Sequence, residues 1–401
     1  FRKVCKTEHT AILILIVWMS LLHTAGIAKL FGYDFSYIPK QFYFFFYPAI
    51  VLLLFLVNRI WRRIQGKHIA LTNQLANAFL IIFSFVLAIN GLFFGNWRKE
   101  LRNIAHQSAL PIDTAKQKDI VWILMDEYAS STSLRKQFAF VNPLDSALKK
   151  KGFCILAHTR SRFTNTLYSL HAIFNLDDSA RPSNFYSGVD GLNKSSLVPL
   201  LESSGYQFIN LGFFDIASHP KIIEGSGYPD TYSQQLLSGT IVNLIQTRRA
   251  NNDLSRADNY NSFILDRLNQ TLSSHSAKPR FIWAHVGIPH APFCRSHTGA
   301  VLKAKEFSDK DSAFITNAYL EYLAYGNTVI LQLLKDHPDM SDKMVIISGD
   351  HGPRYAFLHD LTYQDWPFTA VFIPGHHDTT ALGKLNYISQ IPLFLVSYLT
   401  K

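Results

Sequence analysis

Four apolar residues, Met344-Val-Ile-Ile347, run into Ser348-Gly349 and are followed at once by Asp350-His351-Gly352-Pro353. Three of the four are β-branched, so the run reads as a strand buried on both faces. Glycine and proline punctuate the turn that stops it. In an open α/β sheet, ligands bind just past the carboxyl ends of strands. A carboxylate and an imidazole placed there are both metal ligands by type. The plainer reading of the same residues is an Asp capping a helix and a His on a surface loop. What decides between the two is whether other strand ends carry partners.

The chain from Asp119 onward supplies more such strands. Ile120–Met125, Phe153–Leu156, Gly205–Leu211, Arg280–His285 and Phe368–Ile373 are short apolar runs of strand length. Between them, Pro143–Lys151, Tyr168–Phe174, Leu197–Ser203, Tyr260–Ser273 and Phe314–Leu334 have helical spacing. Apolar strands alternating with helices predict an α/β fold with a mostly parallel sheet and helices on both faces.

The first hundred residues are different. Ala11–Leu30, Phe42–Val57 and Leu71–Phe94 are apolar runs with almost no charge inside, close to the 17–25 residues or so that cross a bilayer. The second run is marginal, and Tyr37, Tyr43 and Trp61 would serve as its interfacial anchors. Buried core helices are the soluble alternative. Arg2, Lys3 and Lys6 before the first run, and Arg59, Arg62, Arg63 and Lys67 between the second and third, place those segments in the cytoplasm. A third crossing then puts everything beyond Asn96 outside; Arg98, Lys99 and Arg102 sit against that rule. The expected division is a transmembrane region of about three helices over 1–96, a linker over 97–117 and a globular domain over 118–401. The net charge of +10 then matches anionic lipid rather than nucleic acid. The chain begins with Phe, not Met, so earlier residues are expected. Cys5, Cys154 and Cys294 have no C-x-x-C spacing, which excludes a cysteine zinc knuckle. A Cys154–Cys294 disulfide stays open outside the cytoplasm.

Other strand ends do carry polar groups. Asp126-Glu127 follows the first strand, and His285-Val-Gly-Ile-Pro-His290-Ala-Pro292 ends another. Arg162-Phe-Thr164-Asn-Thr166-Leu-Tyr-Ser169 is a polar loop opening onto a helix, whose free N–H groups and dipole suit an oxyanion. Each has a plain reading: an N-cap acid, a loop histidine, a capping threonine. Together, an acid, a histidine and a hydroxyl at strand ends are what a metal-activated nucleophile needs.

The order of acid after the first strand, threonine loop, P-H-x-P segment and D-H-G resembles the alkaline phosphatase and sulfatase superfamily. With membrane spans in front, it looks like the membrane-anchored phosphoethanolamine and phosphoglycerol transferases of bacterial envelopes. The resemblance covers 118–401 and implies an alkaline phosphatase-like sheet. It implies Thr166 as nucleophile, with Thr164 the runner-up. It implies Asp126, Asp350, His351 and Thr166 as ligands of a divalent metal, Zn²⁺ first, with Mn²⁺ or Mg²⁺ as alternatives. It implies His290 as a catalytic, substrate-side histidine, His359 as a second substrate contact, and Glu127 beside them in an unsettled role. Tyr387–Phe394 resembles the closing helix of that domain. There are departures. No C-x-P-S-R stands here, so a true sulfatase is not expected. No cysteine lies between Cys154 and Cys294 to staple the nucleophile loop, and the spans are fewer than in the lipid A enzymes.

The resemblance implies transfer of a phosphorylated head group from a phospholipid donor, through phospho-Thr166, to an envelope glycan or lipid acceptor. The place would be the outer side of a bacterial cytoplasmic membrane. Two alternatives stay open: a sulfatase-like phosphodiesterase or sulfuric ester hydrolase, and a catalytically silent envelope binding module.

Overall fold

The computed structural model describes residues 111–177, 181–183, 185–222, 254–302, 312–354, 361–375 and 380–400. The three apolar runs, most of the linker and His359 lie outside the described residues. Among the described residues no helix is long and apolar enough to cross a membrane.

Six strands form one sheet: β1 (Ile120–Met125), β2 (Cys154–Ile155), β3 (Gln207–Leu211), β4 (Arg280–Val286), β5 (Met344–Ser348) and β6 (Thr369–Phe372). Their order is β2-β6-β5-β1-β4-β3. The block β5-β1-β4-β3 is parallel throughout. β6 runs antiparallel to β5, and β2 antiparallel to β6. The sheet is thus mostly parallel as expected, with one reversed strand.

β1 lies at the centre and is buried along its whole length. Its alternate residues divide the core in two. Val121, Ile123 and Met125 pack on one face with Ile264, Leu268, Tyr319 and Tyr322. These come from α6 (Leu254–Ser273) and α7 (Ser312–Asp336), with α1 (Ser131–Phe138) and α2 (Leu144–Lys150) alongside. Ile120, Trp122 and Leu124 pack on the other face. There they meet α3 (Thr166–Asn175), α4 (Phe185–Asn193), α5 (Leu197–Ser203) and α8 (Ile391–Thr400). Trp122 stays fully buried because its indole N–H donates to Ser348 Oγ at 2.9 Å, tying β1 to β5. Cys154 and Cys294 are both free thiols, so no disulfide joins them. Burial pushes the Cys294 thiol up to about 12.

One ion pair pins the far edge of the central strands. Arg280 donates from Nε (3.0 Å) and Nη2 (2.6 Å) to Asp119 Oδ2, and its backbone N–H donates to Asp119 Oδ1 (2.7 Å). Its Nη1 donates to the carbonyls of Thr271 and Ser274 at the end of α6. The Arg280 side chain is only 5% exposed, so removing its partner strands a buried charge. Asp119→Ala is expected to destabilise the domain by about 3 kcal/mol or more. Asp119→Ala/Arg280→Met should recover most of that loss in a thermal unfolding scan. Equal melting temperatures for the single variant and wild type would refute the assignment.

Candidate active site

Because β5, β1 and β4 are neighbours, their carboxyl ends open onto one place. In register, Leu124 of β1 lies between Ser348 of β5 and His285 of β4. Asp126 continues from β1, its N–H bonded to the Val286 carbonyl at 2.9 Å. Two residues beyond Ser348 stands Asp350. The loop that carries Asp350 folds tightly for a reason visible at Gly349: a Cβ there would sit 2.4 Å from the Tyr128 carbonyl oxygen. Only glycine lets the two loops approach so closely.

Asp350 and His351 are fully buried. Asp350 Oδ1 accepts from the N–H groups of Glu127 (3.0 Å) and His351 (2.9 Å). Glu127 reaches this position with a left-handed backbone, φ 61°. A non-glycine residue adopts that region at a cost of about 1 kcal/mol, and such strain gathers at functional sites. It is held from the other side by the Tyr319 hydroxyl, which donates to the Glu127 carbonyl at 2.9 Å.

Thr166 is the first residue of α3, after its N-cap Asn165. Its Oγ1 lies 3.4 Å from Asp126 Oδ1 and 3.3 Å from His351 Nε2. These contacts are long for hydrogen bonds of a hydroxyl. They suit atoms gathered around a common point: ligand atoms about 2.0–2.1 Å from a tetrahedral zinc stand about 3.3 Å apart. Three further observations fit a cation. Ligand atoms of Asp126, Asp350 and His351 all lie within 4.8 Å of one another. Asp350 Oδ2 is buried and accepts no hydrogen bond, although His351 Nε2 is 3.0 Å away; the pair has the distance but not the angles of one. The His351 Nδ1 lies 2.8 Å from the Gly352 carbonyl, which makes Nδ1 the proton-bearing nitrogen and turns Nε2 toward the cluster.

The electrostatics agree. Burial opposes a charged His351, yet the carboxylates of Asp350 and Asp126 push it up to about 9. Burial would likewise raise Asp126, but His290, His285 and His351 hold it well below the usual carboxylate range. Buried carboxylates that draw protons onto an imidazole this strongly would draw a metal cation in the same way.

The candidate residues named from sequence are placed as follows. Asp126, Thr166, Asp350 and His351 come together. Glu127 is buried beside them, with its Oε1 accepting from Arg354 Nε at 3.0 Å. His290 stands at the rim, partly exposed, its Nε2 4.0 Å from Glu127 Oε1. Burial lowers its pKa, but Asp126 and Glu127 more than reverse this, so the net shift is upward. Thr164 is not at the cluster. It lines a separate cleft with Arg160, Arg162, Tyr168 and Arg181. Two further side chains reach the site. His285 is buried, with Nε2 3.2 Å from Asp126 Oδ2; the available signal was a polar residue in an otherwise apolar buried strand. Arg354, bonded to Glu127, stands one residue past Gly352-Pro353, where the sequence motif ends.

The sequence model of the Sulfatase family matches residues 118–374, more than half of the chain. The chain belongs to the Sulfatase family. It is an enzyme of the sulfatase-like hydrolase and transferase kind. No curated protein matches it. Among solved structures, the C-terminal periplasmic domain of EcEptC from Escherichia coli aligns with 11% identity and a TM-score of 0.46, over 73% of this chain and 86% of that one. The integral membrane lipooligosaccharide phosphoethanolamine transferase A from Neisseria meningitidis aligns with 13% identity and a TM-score of 0.45, over 91% and 71%. The phosphonate monoester hydrolase of Agrobacterium radiobacter aligns with 13% identity and a TM-score of 0.44, over 70% and 73%. At such distances the activities of those proteins do not carry over.

Proposed function

We propose that this chain is a metal-dependent phosphotransferase, anchored in a bacterial cytoplasmic membrane by the apolar segments of 1–96. It would move phosphoethanolamine or phosphoglycerol from a phospholipid to an envelope glycan or lipid acceptor. The observation that carries the reading is the Thr166 hydroxyl, at a helix N-terminus and within 3.4 Å of both Asp126 and His351. A divalent cation held by Asp126, Asp350 and His351, zinc suiting the mixed nitrogen and oxygen donors, would lower the pKa of that hydroxyl and neutralise phosphoryl charge.

Thr166 Oγ, its proton released to solvent, attacks the phosphodiester in line. The Oγ–P bond forms, the P–O bond to diacylglycerol breaks, and the head group stays on Thr166. His290, whose protonated form the two acids behind it favour, gives the departing alkoxide its proton. Glu127, held by Arg354, keeps His290 at the rim; the family resemblance gives His359 a substrate contact as well. His285 keeps Asp126 ionised and oriented. An acceptor hydroxyl then takes the phosphoryl group; with water in its place, the same residues make a phosphodiesterase.

Intact-mass spectrometry of the detergent-purified chain, after incubation with vesicles of phosphatidylethanolamine or phosphatidylglycerol, tests the scheme. One head-group phosphate on the peptide holding Thr166 is expected, and prior EDTA treatment should abolish it. A metal-loaded protein that takes no adduct from either lipid would overturn head-group transfer and leave hydrolysis of another ester.

A further inference from the structure

Beside the transfer centre is a cleft of about 510 Å³ whose walls include Arg160, Arg162, Thr164, Tyr168, Arg181 and Asp365. Its lining includes Asn165, the residue just before Thr166. Three guanidinium groups and one carboxylate are among its lining groups. The carboxylate is already engaged, since Asp365 Oδ2 accepts from Arg160 Nε at 2.9 Å. The cations are held rather than loose. Arg162 stacks on the Tyr387 ring at 3.5 Å, and Arg181 lies 6.0 Å from the centre of the Tyr168 ring. The backbone beneath is pinned to two other segments. Arg160 N–H donates to the Asn386 carbonyl (2.8 Å), and Ser161 N–H to that of Asp365 (2.7 Å). Nothing in the proposed chemistry at Asp126, Thr166, Asp350 and His351 uses these arginines.

Guanidinium forks fixed in place recognise an oxyanion through paired N–H donors. The volume exceeds what a phosphate needs and leaves room for the group that bears it. We infer that this cleft is a second anion site, taking a phosphate monoester or similar oxyanion carried by one of the two substrates while the reacting phosphorus sits at Thr166. The inference rests on the transfer reading for its place in the reaction, but the cleft's affinity for an oxyanion stands apart from it.

Two measurements separate these. First, inorganic phosphate is titrated calorimetrically into the full chain in detergent after EDTA treatment, so that the carboxylates of the metal-free centre repel the probe. Phosphate should bind, and Arg162→Gln/Arg181→Gln should weaken it about tenfold or more, whereas Arg267→Gln, on the distant α6, should not. No binding to wild type, or binding unchanged in the double variant, overturns the site. Second, intact mass follows loading of Thr166 from phospholipid vesicles and its discharge onto glycerol or glycerol 3-phosphate. If the double variant loses a preference for glycerol 3-phosphate over glycerol, the oxyanion belongs to the acceptor; if loading slows, it belongs to the donor. A double variant that changes neither overturns the role in substrate recognition. Failure of wild type to load at all sinks the transfer reading, and the cleft is then judged by the calorimetry alone.

Discussion

Thr166→Ala is expected to lower kcat/KM by about 10³-fold or more and to abolish the phosphorylated adduct, while the protein melts within a few degrees of wild type. The activity loss follows if Thr166 Oγ1 is the attacking atom, because no other hydroxyl among the described residues contacts both Asp126 and His351. Stability should hold because Thr166 is not the cap. Asn165 occupies that position, its side chain accepting from the Tyr168 N–H, and alanine is the best helix former. The paired control is Thr164→Ala. Thr164 faces the arginine cleft, so this variant should still load a head group onto Thr166. A dead Thr164→Ala beside a working Thr166→Ala would reverse the nucleophile and with it the whole scheme. Thr166→Ser should retain part of the turnover, since the oxygen is kept and only the methyl is lost.

The strands were readable because burial on both faces writes itself as uninterrupted apolar residues. Ile120–Met125 has the same bounds in sequence and structure. Strand direction is not written that way: β6 is nearly as buried as β5 yet runs against it, since side-chain burial does not depend on which way the chain passes. Two helices are poorly legible in the sequence, for different reasons. α1 buries only Ser133 and Leu134, too few to make a periodic stripe. α4 contains Gly188 and Gly191, which lower helix propensity. They are there because α3 packs close: an added Cβ would meet Leu167 at 2.8 Å and His171 at 2.2 Å. Packing overrides propensity at those positions. At the site, Asp126, Thr166, Asp350 and His351 were legible because each sits where an apolar run or a polar loop ends. His285 and Arg354 were not. Their meaning lies in partners distant along the chain, Asp126 and Glu127, and nothing local announces such pairs.

Asp350→Asn separates the two jobs that Asp350 does. Oδ1 supports the turn by accepting from Glu127 and His351 N–H groups, whereas Oδ2 faces the cluster without a hydrogen bond. Asparagine can keep the first job: its amide oxygen takes both N–H donors, and its NH₂ falls in the place of Oδ2. There it lies near His351 Nε2, which carries no proton while Nδ1 keeps its own for the Gly352 carbonyl, so no two N–H groups oppose each other. The second job is lost, because an amide nitrogen offers no lone pair to a cation. Turnover should fall by about 10³-fold or more and bound metal well below one per chain by elemental analysis. Its melting temperature should stay within a few degrees of EDTA-treated wild type. Asp350→Ala should lose activity equally and stability besides, at about 1–3 kcal/mol for each buried N–H left without an acceptor. The difference between the two variants therefore reads the structural role, and their shared loss reads the metal role. If Asp350→Asn kept both stoichiometric metal and turnover, Asp350 would be a turn-former only, and the cation would have to be held by some other set of residues.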